Sequence, residues 1–306
     1  ELGSVDYADA SFQGVDLTTL RIGDPLVVAF GDPEPQVIFE GEIGAIEATF
    51  ARESTVEIRG FDALFKLQFG TAQRVFEGVT DTQMATQIAE LNGLELGPAE
   101  GSSQVTYPYV IQPDQSDYAF LSARAARMSY EIQVSGKQLY FGPTRAGLGA
   151  IMTVTFNEGV PRVTVRLKAV KQGSSVQRVG WDPREKQMIV ADANTGSSSL
   201  RMGGSETGYE LSAAIATSSV AASDPEISDP EGARALAEAA YEGDLDDFIE
   251  ATLLMLGDPK VKPGINIDVQ GIGPRLSGLY YVTAAKHVYT MQESYTTELT
   301  LRRTGV

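Results

Sequence analysis

Lys262-Pro263-Gly264-Ile265-Asn266-Ile267-Asp268-Val269, then Leu276-Ser277-Gly278-Leu279-Tyr280-Tyr281-Val282-Thr283, then Tyr295-Thr296-Thr297-Glu298-Leu299-Thr300-Leu301-Arg302 decides the fold, because it repeats an earlier stretch. The earlier copy runs Ile22-Gly23-Asp24-Pro25-Leu26-Val27-Val28-Ala29-Phe30, then Phe39-Glu40-Gly41-Glu42-Ile43-Gly44-Ala45-Ile46, then Ser54-Thr55-Val56-Glu57-Ile58-Arg59-Gly60. In both copies a turn glycine launches an alternating strand, and a second glycine starts another strand after a loop. A third alternating strand then ends in arginine. Duplication of such a unit predicts two similar antiparallel β-barrels in one subunit, so a ring of few subunits displays twice as many barrels.

Between the copies the period changes. Thr80-Asp81-Thr82-Gln83 has the spacing of a capping box, Met84, Ile88 and Leu91 follow at helical intervals, and Gly93 suits the residue after the helix. A second helix starts at Ser116-Asp117, carries Phe120, Leu121, Ala125 and Met128 inward, and feeds a hairpin of Tyr130–Val134 and Gln138–Phe141 that turns at Ser135-Gly136. The β pattern resumes after 147 in Met152, Val154 and Phe156 and in Val163, Val165 and Leu167, and Gly180-Trp181-Asp182-Pro183 is expected to break it. Asp229-Pro230-Glu231 opens a helix that Gly243 should stop, and Phe248–Leu256 reads as a strand although its leucines suit a helix equally. The predicted division is 1–72 as the first part of the first barrel, 73–146 as an inserted α/β domain, 147–192 as its remaining strands and a connection, and 193–306 as a Ser/Gly-rich arm, a helix and the second barrel. The fold class is therefore mainly β with an α/β insertion.

The 306 residues permit a sizeable core, and 42% hydrophobic with 21% charged residues is the composition of a soluble globular protein. No apolar run is long enough to span a bilayer, so no membrane insertion by this chain is expected. The start at Glu1, without an initiator methionine, predicts missing N-terminal residues. A net charge of −17, from 41 acidic and 24 basic residues, argues against nucleic-acid binding, whose affinity comes from Lys and Arg displacing counterions. With no cysteine there is neither a disulfide nor a thiolate metal site, and a single histidine argues against a triad or a histidine metal cluster.

Each chemical candidate has a plainer structural reading. Asp244, Asp246, Asp247 and Glu250, and Glu40 with Glu42, lie in polar runs with nothing apolar to raise a pKa, so they read as a solvated face rather than a hydrolytic pair. His287, in a strand, is expected to make structural hydrogen bonds. Asp224 and Asp229 lack the ligand spacing of a calcium loop, and Gly203-Gly204 and Gly271-Ile272-Gly273 lack the context of a phosphate loop. No Gly-x-Ser-x-Gly elbow occurs. Trp181 reads as a core anchor, with an interface anchor as the rival. The expectation is no catalytic, cofactor-binding or metal-binding residue.

Four segments together resemble the phage late control D family, which includes the head portion of VgrG-like spikes. They are Asp114-Gln115-Ser116-Asp117-Tyr118-Ala119-Phe120-Leu121 running into Ala125-Ala126-Arg127-Met128-Ser129-Tyr130-Glu131; Val179–Lys186; Gly257-Asp258-Pro259 with Pro263-Gly264; and Leu279–Thr283 with His287-Val288-Tyr289 and Tyr295-Thr296-Thr297-Glu298. The resemblance implies two tail-tube-like barrels per subunit and a homotrimer forming a pseudo-sixfold ring. It further implies a baseplate hub that adapts a sixfold tail tube to a threefold spike in a contractile phage tail or contractile injection system. The partners so implied are the chain itself, the tail tube ring, a spike protein or domain, and other baseplate proteins. Assembly would be in the cytoplasm, and the product a component of a virion tail or injection particle. The alternative is a hydrolase (lysozyme-like) subunit of the cell-puncturing device. In the ring, Glu40, Glu42, Glu47 and Glu57 are expected on the channel wall, and the 73–146 insertion on the outside.

Overall fold

The turn glycine Gly23 sets the first boundary. The computed structural model describes residues 19–306 apart from 32, 52–54, 103, 171–174, 195–201, 203, 205, 216–218, 247 and 293, together with two short paired strands, β1 (Val5–Asp6) and β2 (Ser11–Phe12). The first repeat is a three-stranded antiparallel meander of β3 (Pro25–Phe30), β4 (Gln36–Thr49) and β5 (Thr55–Phe61). A short helix, α1 (Ala63–Lys66), follows it, with the Asp62 side chain accepting from the Leu64 N–H at 3.0 Å.

The next segment is α/β. β6 (Ala72–Thr80) leads into α2 (Asp81–Leu91), where Thr80 and Gln83 form the expected capping box and bury Met84, Ala85, Ile88 and Ala89. After β7 (Glu95–Leu96), β8 (Thr106–Gln115) pairs back onto β6, a strand the sequence reading missed because Pro108 and Pro113 interrupt its pattern. α3 (Asp117–Arg127), capped by Ser116, then feeds β9 (Tyr130–Ser135) and β10 (Gln138–Pro143), and β10 also pairs parallel with β7. Helices and sheets close over one apolar cluster that includes Met84, Ile88, Leu121, Leu139 and Phe141, all without exposure, each worth about 1.5–3 kcal/mol by burial.

β11 (Met152–Phe156), β12 (Gly159–Val160) and β13 (Arg162–Leu167) follow. The sequence reading gave these strands to the first barrel, but they join the second repeat. β17 (Ile249–Leu256), β18 (Asn266–Gln270), β19 (Gly278–Thr290) and β20 (Ser294–Arg303) lie with them in a seven-stranded, nearly closed barrel of order β12-β11-β18-β19-β20-β17-β13. Alternation identifies a strand but not its neighbour, which is why the reading erred. β17 is a strand rather than a helix, with Ile249, Ala251, Leu253 and Met255 facing the core.

A further three-stranded sheet lies between these parts. β14 (Ser175–Asp182) runs straight through Gly180-Trp181, where a break was expected, pairing antiparallel with β15 (Gln187–Asn194) and parallel with β16 (Ser219–Ser223). Gly180 is there for packing: a Cβ would sit 2.2 Å from the Ile227 side chain. Of the predicted arm, residues 195–201, 203, 205 and 216–218 lie outside the described residues, so the Gly203-Gly204 turn is described only at Gly204. The rest includes α4 (Gly208–Ser212), with its own Thr207–Glu210 capping box, as well as β16. α5 (Pro230–Leu245), capped by Asp229, covers the inner face of β14 and β15. It continues past Gly243, whose missing side chain lets Ser129 Oγ approach, and ends at Asp246.

Candidate assembly surfaces

The two meanders share their turn, the register of their long hairpins and one bulge, while the first alone has a further bulge between Val28 and Ala29. Gly23 and Gly264 both adopt positive φ, at +92° and +88°. The Gly23 N–H donates to the Ile43 carbonyl at 2.8 Å, and the Gly264 N–H to the Val282 carbonyl at 2.9 Å. Ile43 N–H returns a bond to Asp24, and Val282 N–H to Ile265. Leu26 pairs with Gly41 as Ile267 pairs with Tyr280. Both copies carry a β-bulge on the next rung, between Ile43 and Ala45 and between Val282 and Ala284. Thr49 pairs with Thr55 as Val288 pairs with Thr296, so the register agrees from turn to tip.

Burial does not match. Ile267, Tyr280, Val282, Leu299 and Leu301 are at most 1% exposed, inside the seven-stranded barrel. Of their counterparts, Ile43 is buried, Leu26 is half-buried and Ile58 is 38% exposed. The first meander presents the same backbone with an unfinished core.

The opposite face of that meander is acidic. Glu40 pairs with Val27, Glu42 with Phe61 and Glu47 with Glu57, which puts all four glutamates on one side. Two like charges on one rung repel, and Arg59 bridges them, 2.6 Å from Glu57 and 3.6 Å from Glu47. Its hydrogen bond and charge hold the Glu57 carboxyl below its ordinary pKa. Lys66 pairs with Glu42 at 2.5 Å.

Trp181 is not a core anchor: it is 55% exposed, paired across the strands with Met188 at 64% and two rungs from the Val179–Val190 pair, on the same face. Sequence spacing held the signal, since Trp181 alternates with the buried Val176 and Gly180 face. His287 makes structural hydrogen bonds, with Nδ1 2.9 Å from the Tyr295 hydroxyl and Nε2 2.9 Å from the Val261 carbonyl.

Of the acids weighed for chemistry, Asp247 lies outside the described residues. Glu40 and Glu42 lie on the acidic face just described, whereas Asp244, Asp246 and Glu250 are half-buried and partnered. Asp246 accepts from Arg302 at 2.6 Å, Glu250 pairs with Lys168, and Asp244 accepts from the Tyr209 hydroxyl. Asp224 pairs with Arg127, and Asp229 caps α5. Gly271 and Gly273 take positive φ in a turn. Among the described residues no group of three or more acids or histidines could hold a metal ion.

Two charge clusters instead fasten the α/β segment to the rest of the chain. On α3, Arg124 is buried against Asp81 at 2.5 Å, also pairs with Glu226, and lies over the Tyr107 ring at 4.4 Å. Arg127 reaches Asp224 and Glu226. On the other side Arg302 bonds Glu131 at 3.0 Å and Thr144 at 2.6 Å, while the Tyr281 hydroxyl donates to Glu131. Burial and the neighbouring carboxylates push the Tyr107 and Tyr281 hydroxyls well above the usual phenol pKa. Asp117, at the start of α3, accepts from Arg74, from Gln112 at 2.9 Å and from Asn92 at 2.8 Å. Burial alone would raise its pKa, but these three donors outweigh burial and hold it below the ordinary carboxylate value.

Comparison with known proteins supplies the setting. A family model described as the Alg8 N-terminal domain matches residues 4–291. None of the curated proteins matches the sequence. Among solved structures, the 43 kDa tail protein of prophage MuSo2 from Shewanella oneidensis is similar at TM-score 0.68 and 11% identity, over 92% of this chain and 83% of that one. The tail protein from Neisseria meningitidis MC58 is similar at 0.64 and 14% identity, over 88% and 81%. An E. coli component of the type VI secretion system, described as structurally similar to T4 bacteriophage tail proteins gp27 and gp5, gives 0.57 at 12% identity, over 91% of this chain and 65% of that one. These likenesses show a common fold. The fold is that of phage tail proteins, as the sequence segments suggested; the family model that matches is a different one from late control D.

Proposed function

This chain belongs to the Alg8 N-terminal domain family, and we propose that it is a structural, non-enzymatic hub of a contractile tail or contractile injection particle. The observation that carries the reading is the duplicated meander, alike in its turn glycine, its long-hairpin register and the bulge after Ile43 and Val282. A subunit with two equivalent units presents six of them when three copies form a ring, and such a ring can match a sixfold tube above and a threefold spike below. The tail-protein fold supports this setting. The late control D and VgrG-like resemblance supports the spike as the lower partner.

In this reading the acidic face formed by Glu40, Glu42, Glu47 and Glu57 lines the channel. If nucleic acid is the passenger, a wall of carboxylates gives its phosphates nothing to bind. The 73–146 segment lies on the outside. The particle is assembled in the cytoplasm, and among the described residues no helix is long and apolar enough to cross a membrane.

Light scattering of the purified chain tests the reading: the expected mass is three copies of the 32.8 kDa chain, with a sixfold-looking ring in electron micrographs. A chain that stays monomeric at every concentration would exclude it.

A further inference from the structure

The two units differ in what borders them. In the second, β20 is covered along its outer edge by β17, antiparallel, and β17 in turn by β13. In the first, the counterpart of β20 is β5, and among the described residues its backbone pairs with β4 alone. The β3 side of that meander already meets the second unit of the same chain, through Phe30 on Tyr295 at 4.7 Å between ring centroids. β5 borders the other side. β13 ends the seven-stranded sheet and, among the described residues, is paired only with β17. Each unit thus has an open strand, a row of N–H and C=O groups that a further strand can satisfy.

The side chains of these two strands are complementary. On β5, Val56 and Ile58 lie on the face of the buried Ile43, while Glu57 and Arg59 lie on the acidic face. On β13, Val163 and Val165 pack against the barrel core, while Arg162, Thr164 and Arg166 are exposed. Let the strands lie antiparallel, as β17 lies on β20, with Glu57 opposite Arg166. Val56 then meets Leu167, Ile58 meets Val165 and Gly60 meets Val163 on the core side. Arg59 meets Thr164 on the charged side, and the exposed Ile58 and Leu167 are covered. Sliding the pair by two residues either way sets Arg59 against Arg162 or Arg166, and like charges directly opposite are destabilising. A slide by one puts arginine on the core face. Arg166 is also available: it has no ion pair among the described residues, because the acid across its rung, Glu250, is taken by Lys168.

We propose that β5 of one copy of this chain pairs antiparallel with β13 of a second copy, with Glu57 opposite Arg166. The contact joins unlike edges, so it propagates or closes into a ring. That the ring closes at three copies rests on the function proposed above; the pairing rests on the two edges.

The chain has no cysteine, so the full chain carrying R59C with T164C can be oxidised and run on a non-reducing gel. The pairing predicts covalent oligomers up to a closed ring that collapse on reduction, and none from either single variant. Charge exchange gives an independent readout by light scattering. E57R and R166E should each weaken assembly about tenfold or more, and E57R/R166E should recover most of the loss. An assembly of several copies that gives neither the cross-link nor the recovery overturns the pairing and leaves the ring standing. A cross-link confined within single chains also overturns it. A mass of one chain at all concentrations overturns both.

Discussion

Replacing Arg124 with methionine tests how the α/β segment is held. Its side chain is 4% exposed and Asp81, its partner at 2.5 Å, is 2% exposed. Methionine fills the space of the aliphatic stem but leaves the Asp81 carboxylate buried without a counter-charge, a loss of about 3–5 kcal/mol for a broken buried pair. Removal of the guanidinium from the Tyr107 ring adds up to about 2 kcal/mol. The double variant R124M/D81N has no buried charge to strand. Its cost should therefore fall well below that of R124M alone, giving a coupling of about 2 kcal/mol or more. Urea unfolding followed by far-ultraviolet circular dichroism, at one fixed protein concentration, measures both midpoints and slopes. A cost below about 1 kcal/mol for R124M, or a double variant as costly as the sum of the two singles, would refute the reasoning.

Three further outcomes follow from the geometry. The folded-state pKa of Asp117 is depressed, so its contribution is present above the unfolded value near 3.8 and is lost as pH falls through the folded one; D117N should lower stability at neutral pH and flatten the acid limb of a stability–pH profile, and an unchanged limb would count against it. In G257A the new Cβ would lie 2.1 Å from the Tyr295 ring, so a loss of about 1–3 kcal/mol is expected in thermal unfolding, and a neutral result would show that the ring moves freely. Trp181, the one tryptophan, should emit in dilute solution as a water-exposed indole and be quenched by acrylamide; blue, unquenched emission would contradict its exposed position.

Local chemistry was legible in the sequence. Thr80, Ser116 and Asp229 each announced a helix start because a cap is a contact between neighbours a few residues apart. The duplicated meander was legible for the same reason, since turn glycines and alternation are local. Partnership between distant strands was not, and β11–β13 were given to the wrong barrel because nothing in Met152–Leu167 encodes a preference for β17 or β18. Glycine misled twice, at Gly180 and Gly243, where it serves close packing against Ile227 and Ser129 rather than a stop. Trp181 misled because size predicts burial while strand parity decides the face. Asp246 and Glu250 looked solvated because their cations, Arg302 and Lys168, lie far off in sequence. Nor did any motif mark the pairing of Arg124 with Glu226 across 102 positions.

The shared bulge limits how these strands can change length. Gly44 and Thr283 are each a surplus residue opposite none, and beyond them the side chains resume their alternation on the other parity. Deleting either would restore an uninterrupted ladder but rotate everything on one side of it by half a period. In the first unit that would carry Glu40 and Glu42 onto the apolar side and Phe39 onto the charged one. A single-codon deletion inside the strand is thus as disruptive as many substitutions at once. Length variation in relatives of this chain should collect in the turns, at Gly31–Pro35 and Gly271–Ser277, and leave the interval from bulge to hairpin tip fixed.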